Sequence, residues 1–201
     1  AAGTVTLTLT AAGLTPCPAV SDAITLTIHP LPTANAGSAG FSCQGYSYTV
    51  SGAAATHYSS VTWTENGTGT LLNANTLTPT YIPDTGETGT VTLTLTAQGE
   101  LSCAGETAQS TMTLTITPLP VVDAGLNATI CAANTYALSA TQTNCGSVLW
   151  STSGDGTFNN PASLTPVYAP GAGDIATGSV VLSITGFGAG SCVGETANDQ
   201  V

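Results

Sequence analysis

The nine-residue string GTVTLTLTA stands twice in this chain, at Gly3–Ala11 and Gly89–Ala97, and returns in altered form as GSVVLSITG at Gly178–Gly186. Copies that start at residues 3, 89 and 178 make a tandem repeat, and a fixed period of this kind governs the fold more than any local signal. Other landmarks keep the same step. Cys43 to Cys131 is 88 residues, Trp63 to Trp150 is 87, Tyr81 to Tyr168 is 87, and Pro30 to Pro118 is 88. Each repeat runs from a Pro-Leu-Pro through an Asn/Asp-Ala-Gly, a Cys, a Trp and a Thr-Pro-x-Tyr. It then reaches a TLTLT strand, a second Cys and a closing TLTI.

Within a repeat the dominant period is two. In Val91-Thr-Leu93-Thr-Leu95 the aliphatic residues face one way and the threonines the other, as a half-buried antiparallel strand requires. Met112, Leu114 and Ile116 repeat the pattern for a last strand. The stretch Gln98–Ala108 between them, with Gly99, Cys103 and Gly105, reads as a long hairpin loop. Tyr46–Val50 and Thr135–Ser139 read as second strands, and Val61–Trp63 and Val148–Trp150 as central strands carrying a buried Trp. Gly67–Gly69 and Gly154–Gly156 read as turns. Leu77–Ile82 and Leu164–Ala169 are strands interrupted by Pro79 and Pro166, which suits an edge or a strand start. No segment shows a sustained 3.6-residue period. About seven short strands around a Trp describe an immunoglobulin-like sandwich, and a repeat of about 88 residues has the size of one.

Composition removes several function classes. The chain has 201 residues, no Lys or Arg, and 11 Asp plus Glu, for a net charge of −11. Without cations it can displace no counterions from nucleic acid and cannot hold an anionic membrane surface. No lysine exists for an isopeptide or a Schiff base, and trypsin has no cleavage site. The apolar fraction of 42% is ordinary for a folded chain, so disorder is not expected. No apolar run reaches the roughly 18 residues of a membrane span. Six cysteines without CxxC zinc spacing fit an oxidising, extracellular compartment.

The combined pattern PLPxxxAG…C…W-(S/T)-x-x-G-x-G-T…LTPxYxP…GxVxLTLTxxGxxxC…TLTITPLP resembles the PKD-like, immunoglobulin-like tandem repeats of large secreted surface proteins of Bacteroidota. The resemblance covers essentially the whole chain. It implies an all-β, extracellular array of stacked sandwiches serving as stalk, adhesin or fibre, with no enzyme activity. Cys145 departs from the pattern, having no counterpart in the preceding repeat.

The residues give catalysis little support. His29 lies beside Pro30 at a junction, where Thr117 stands one repeat later. His57 lies in a loop whose counterpart holds Asn144 and Cys145. No cationic side chain is present to hold an oxyanion. The ligand hypothesis with most support is calcium bound by oxygen donors at a junction or turn, with Asp123 and Asp155 as weak candidates. Asp84, Glu87, Glu106 and Glu195 share loops with no EF-hand spacing, and Asn35 and Thr68 replace Asp123 and Asp155 one repeat earlier. The bland alternative is solvated turn carboxylates, and no other cofactor is expected. Asn66-Gly-Thr68 and Asn127-Ala-Thr129 match the N-glycosylation sequon, which is incidental in a bacterial protein.

The disulfide candidates are Cys17, Cys43, Cys103, Cys131, Cys145 and Cys192. Equivalence between repeats suggests Cys43–Cys103 and Cys131–Cys192. In an immunoglobulin-like topology, however, the first loop and the last hairpin loop lie at opposite poles, a strand length of roughly 17–20 Å apart. A bridge needs Cα atoms within about 7 Å. The first loop of one sandwich could instead face the hairpin loop of the next, pairing Cys43 with Cys192. Cys145 shares that pole and competes. Sequence leaves the pairing open.

The phase of the repeat gives three segments: residues 1–29, the closing strand pair of an incomplete repeat; 30–118, a complete sandwich; and 119–201, a sandwich without its last strand. Either the chain is a window on a longer tandem protein, or the first segment of one copy completes the last sandwich of the next by strand addition through Ile24–Ile28. Both readings give an extracellular fibre or stalk whose partners are other copies or neighbouring repeats, head to tail. The alternative is an adhesin-type repeat that recognises carbohydrate or another cell surface, for which Tyr58, Phe158 and Phe187 would have to cluster on exposed loops.

Overall fold

The computed structural model describes residues 3–132 and 134–201, so Ala1 and Ala2 of the 1–29 segment, and Ala133, lie outside the described residues. The longer strands are β1 (Gly3–Ala11), β2 (Val20–Ile28), β3 (Gly40–Cys43), β4 (Tyr58–Glu65), β5 (Gly89–Gly99), β6 (Thr107–Thr117), β7 (Cys145–Thr152), β8 (Leu182–Gly188) and β9 (Thr196–Gln200).

Strands β3, β6, β5 and β4 form one sheet in that order, with β3 parallel to β6 and the other pairs antiparallel. Opposite it lie the ribbons 33–35/54–56 and 48–49/80–82/70–72. The period-2 pattern does what it predicts. Val91, Leu93, Leu95 and Ala97 are buried and meet Trp63, Tyr81, Met112, Leu114 and Ile116, while the intervening threonines look outward. Removing one such leucine from water contributes roughly 1.5–3 kcal/mol. A second core, built around Trp150, Tyr168, Leu182 and Ile184, lies under the sheet β7-β8-β9 and the ribbons 121–123/141–143 and 136–137/167–169/157–158. In each core the indole N–H finds a backbone carbonyl, Trp63 on Thr76 at 2.9 Å and Trp150 on Ser163 at 3.1 Å. A buried Trp needs such a partner.

Several elements are shorter than the sequence suggests. The prolines explain two of them. Leu77–Ile82 and Leu164–Ala169 become strands only at Thr80–Ile82 and Val167–Ala169, after Pro79 and Pro166. A proline has no N–H for the ladder, but its carbonyl can accept. Pro79 takes the N–H of Val50 and Pro166 that of Leu138, each at 2.9 Å. The second strands contract to Tyr48–Thr49 and Tyr136–Ala137. The hairpin loop is tighter than Gln98–Ala108, since β5 runs through Gly99 and β6 begins at Thr107. One helix, α1 (Ala172–Thr177), was not expected; six residues are too few to show a helical period.

Strands β1 and β2 pair with each other over their full length and with nothing else among the described residues. Every described residue of both is exposed.

Candidate functional site at the joint between the sandwiches

A network of polar contacts lies where the two sandwiches meet, at Thr117–Leu119. Two loops converge there. The first follows β3. Cys43 ends the strand opposite Thr117, and the carbonyl of Cys43 accepts the N–H of Tyr46 at 3.0 Å. The buried Ser42 hydroxyl donates to the Tyr46 carbonyl at 2.9 Å and fixes the turn. The second loop joins β8 to β9. Its ends are tied by the Gly188 N–H on the Glu195 carbonyl at 2.8 Å, and its centre by the Glu195 N–H on the Cys192 carbonyl at 2.9 Å. A Cβ at position 188 would run into the Cys192 carbonyl, so only glycine closes this loop.

The loops are joined covalently. Cys43 and Cys192 form a disulfide with Cα atoms 4.9 Å apart and a sequence separation of 149 residues. Of the pairings open from sequence, the one that crosses between sandwiches is the one formed. The repeat-equivalent pairs Cys43–Cys103 and Cys131–Cys192 are not formed, because each would have to reach the opposite pole of one sandwich. Cys17, Cys103, Cys131 and Cys145 carry free thiols. Cys145 does not compete for Cys192; its thiol donates to the carbonyls of Val121 and Thr143 within its own sandwich.

Polar contacts surround the bridge. The Gln44 N–H donates to the Thr117 carbonyl at 2.8 Å, and the Leu119 N–H donates to the Gln44 side-chain oxygen at 3.1 Å. Asn144 donates its amide to the Leu119 carbonyl at 3.1 Å. The Tyr46 hydroxyl donates to the Glu195 carboxylate across the joint. That hydrogen bond and the adjacent negative charge raise the Tyr46 phenol above its ordinary value. Gln44 was not singled out from sequence, Tyr46 was read only as the start of a strand, and Glu195 was weighed only among the loop carboxylates for calcium. One signal was available: Gly-Glu-Thr follows the hairpin cysteine in both repeats, at Gly105–Thr107 and Gly194–Thr196.

The calcium candidates are occupied by backbone donors. Asp155 takes the N–H of Asp174 at 3.1 Å and of Gly173 at 2.9 Å, and Asp123 takes the N–H of Gly125 at 2.8 Å. No group of three or more His, Cys, Asp or Glu gathers as a cation cage among the described residues. Asp174, at the start of α1, clamps its sandwich. It accepts the Tyr168 hydroxyl at 2.6 Å and the N–H groups of Gly171 and Gly156 at 3.0 and 3.1 Å, and these donors hold its carboxyl below the ordinary value. Glu87 does the same work one repeat earlier, accepting the Tyr81 hydroxyl and the N–H groups of Thr68 and Asp84. Burial pushes Glu87 up, but those donors together outweigh it and lower the carboxyl. Tyr81 is pushed up to about 12, first by burial and then by its bond to Glu87.

The remaining candidates lie apart. His57 Nδ1 is 3.9 Å from Glu100 Oε1, both exposed, and His29 is at the junction before the first sandwich. Phe158 packs on Trp150 and Tyr168 in the second core, Tyr58 packs against the first core, and Phe187 lies on β8. They form no exposed aromatic cluster.

This geometry defines a class: all-β chains of consecutive β-sandwiches stacked end to end. Solved structures of that class match. A structure of the N-terminal eight Ig domains of Down syndrome cell adhesion molecule isoform 1.30.30 matches over 100% of this chain with TM-score 0.55 and 10% identity. Mouse cadherin-23 domains EC22–24 match over 85% with TM-score 0.53 and 16% identity. Protocadherin gamma B7 domains 1–4 match over 98% with TM-score 0.52 and 12% identity. The chain spans 30%, 64% and 56% of those chains respectively. No protein-family model and no curated protein sequence matches it. The sandwiches are therefore immunoglobulin- or cadherin-like in fold.

Proposed function

We propose that the chain is a segment or subunit of an extracellular fibre or stalk built from stacked immunoglobulin-like sandwiches. The observation that carries this reading is the Cys43–Cys192 bridge. A disulfide between two sandwiches adds nothing to either core; it fixes how one is set on the next, which is what a stiff rod needs. On the chain-entropy argument, closing a loop of this length limits the unfolded chain by at most about 5 kcal/mol. A disulfide also favours a compartment outside the reducing cytosol. The resemblance to PKD-like repeats of secreted Bacteroidota proteins agrees with this, as does the absence of any cation for nucleic acid or anionic lipid.

Neighbours join head to tail. The exposed aliphatic faces of β1 and β2, among them Ile24, Leu26 and Ile28, support strand addition through Ile24–Ile28 as one means of joining. Electron microscopy of the purified protein tests the reading: end-to-end rods are expected, and isolated particles at every concentration would overturn it. Removing residues 1–29 then separates the two modes of joining. Rods that persist remove strand addition, and rods lost while both sandwiches stay folded support it.

A further inference from the structure

The cysteines fall into two positional classes and one singleton. Cys17, Cys103 and Cys192 each lie 14 residues after the opening glycine of a GTVTL-type strand (3 to 17, 89 to 103, 178 to 192). Cys43 and Cys131, 88 residues apart, belong to the first loop. The bridge that exists joins one member of each class across a joint.

Cys103 and Cys131 share backbone hydrogen bonds with their bonded counterparts. Around Cys103, the Gly99 N–H meets the Glu106 carbonyl at 2.8 Å and the Glu106 N–H meets the Cys103 carbonyl at 2.9 Å; the Cys192 loop has the same two bonds at the same lengths. Leu101 and Gly190 take the same left-handed backbone, with φ of 53° and 57°. Cys103 Sγ lies 3.5 Å from the His29 carbonyl, and Cys192 Sγ lies 3.3 Å from that of Thr117, the residue equivalent to His29. Thr117 is the residue that β6 sets opposite Cys43. Cys103 therefore rests on the backbone position beside which, one repeat later, a bonded first-loop cysteine stands. Cys131 in turn accepts the Asn134 N–H at 2.9 Å, as Cys43 accepts that of Tyr46, and its thiol is exposed.

We infer that Cys103 and Cys131 are two halves of this same bridge, directed outward. Cys103 takes the first-loop cysteine of the repeat before it, and Cys131 takes the hairpin-loop cysteine of the repeat after it, so that every joint of an array is locked by one disulfide. Between two copies of this chain the bond is Cys131 of one to Cys103 of the other. Asn134 stands where Tyr46 stands at the existing joint and Glu106 where Glu195 stands, so an amide donor again faces a carboxylate. The inference rests on the stacked-array reading.

The chemistry is thiol–disulfide exchange with a small disulfide such as oxidised glutathione. The Cys131 thiolate attacks that disulfide, forming a mixed disulfide and releasing one glutathione thiolate. The Cys103 thiolate of the second copy then attacks the Cys131 sulfur and releases the other. Two protein thiols lose two electrons and two protons, and one disulfide of the oxidant becomes two thiols.

Two single-thiol variants of the full chain test it. Both carry Cys17→Ser and Cys145→Ser; one adds Cys103→Ser and keeps Cys131, the other adds Cys131→Ser and keeps Cys103. They are mixed in equal amounts in a glutathione redox buffer, with Cys43–Cys192 intact in both. The expected result is that mixed Cys131–Cys103 dimers exceed like pairs by about tenfold over random collision, as two complementary docked loops raise the local thiol concentration. Peptide mapping with pepsin identifies the pairs. Like and mixed pairs at chance proportions, or thiols that stay free where Cys43–Cys192 reforms, overturn the inference. If a serine variant fails to fold by circular dichroism, the Cys→Ala form replaces it. Electron microscopy of Cys103→Ser/Cys131→Ser reports on the array separately. Rods there with chance-level pairing overturn the bridge alone, and isolated particles with chance-level pairing overturn both.

Discussion

Strands β1 and β5 share one sequence, GTVTLTLTA, and lie in hairpins of the same register, with Gly3 opposite Ile28 and Gly89 opposite Ile116. Their surroundings are opposite. Leu7 and Leu9 are 50% and 78% exposed, whereas their counterparts Leu93 and Leu95 are both 0% exposed. Two hairpins that open on one strand sequence thus separate what a strand encodes from what its neighbours supply. Alternation of aliphatic and threonine fixes the pairing and decides which face is apolar. Whether that face is buried depends on a partner, here Trp63, Tyr81 and the ribbons across the core. A two-stranded hairpin alone is marginal in water, and the apolar face of β1–β2 is left uncovered among the described residues.

The sharpest break of this comparison is a matched pair of truncations. Leu95→Ala should destabilise the first sandwich by about 2–5 kcal/mol, through lost transfer energy and a cavity. Leu9→Ala should change stability by less than about 0.5 kcal/mol, as surface substitutions do. Denaturant unfolding followed by the fluorescence of Trp63 and Trp150, one in each core, reads both. A large loss at Leu9 would mean that β1–β2 is packed on another copy in solution.

The next largest effect is at the hairpin loops, which all three hairpins close with a glycine whose Cβ would meet the carbonyl of the following cysteine: Gly13, Gly99 and Gly188. Gly188→Ala should displace Cys192 and leave the bridge unmade, so that thiol titration of the unfolded chain counts six thiols (the four free now plus Cys43 and Cys192). Gly13→Ala, in the exposed hairpin, should leave the count at four. Equal counts would show that loop shape does not govern the bridge.

Acid should separate the hairpins again, by a smaller margin. Asp174, Glu87 and Asp199 all have folded-state values below their ordinary ones. Each contributes stability that is present above the unfolded value, 4.5 for Glu87 and 3.8 for the aspartates, and lost as pH falls through the lowered folded value. Among the described residues β1–β2 has no such clamp; Asp22 accepts only the N–H of Ala23. Hydrogen exchange from pH 5 downward should show protection falling in β5–β6 and β8–β9, with β1–β2 exchanging freely throughout. Protection in β1–β2 that fell with the rest would tie that hairpin to a clamped sandwich.

These contrasts also show what the sequence could and could not disclose. Sheet strands with strict alternation, the buried tryptophans and the glycine turns were legible, because period and turn chemistry are local. Strand length beside Pro79 and Pro166 was not, since it depends on which carbonyl a neighbouring loop reaches. The bridge was legible only as one of several options. Topology excludes Cys43–Cys103 and Cys131–Cys192, but choosing Cys43 over Cys145 as the partner of Cys192 needs the hydrogen bonds that hold the Cys145 thiol on Val121 and Thr143. Tyr46 and Glu195 were invisible as a pair because they lie 149 residues apart and only the joint brings them together.

That pair supports the finest distinction, between a hairpin loop engaged at a joint and the exposed loop of Cys17. Tyr46→Phe removes the hydroxyl donated to Glu195 and leaves the bridge in place, so the reduction midpoint of Cys43–Cys192 should move slightly toward easier reduction. The effect carries its own control in pH. The Tyr46 value is raised above 10.0 in the folded chain, so its contribution is complete below pH 10 and disappears as pH rises through the raised value. The difference between wild type and Tyr46→Phe, titrated against glutathione at successive pH values, should therefore close in alkali, where both sides of the contact are anionic. A difference that persists there would mean that Tyr46 supports the joint by packing beside Cys43 and not through its hydroxyl. The free Cys17 thiol, whose loop faces no such partner among the described residues, should react with a thiol reagent at the same rate in wild type and Tyr46→Phe at any pH.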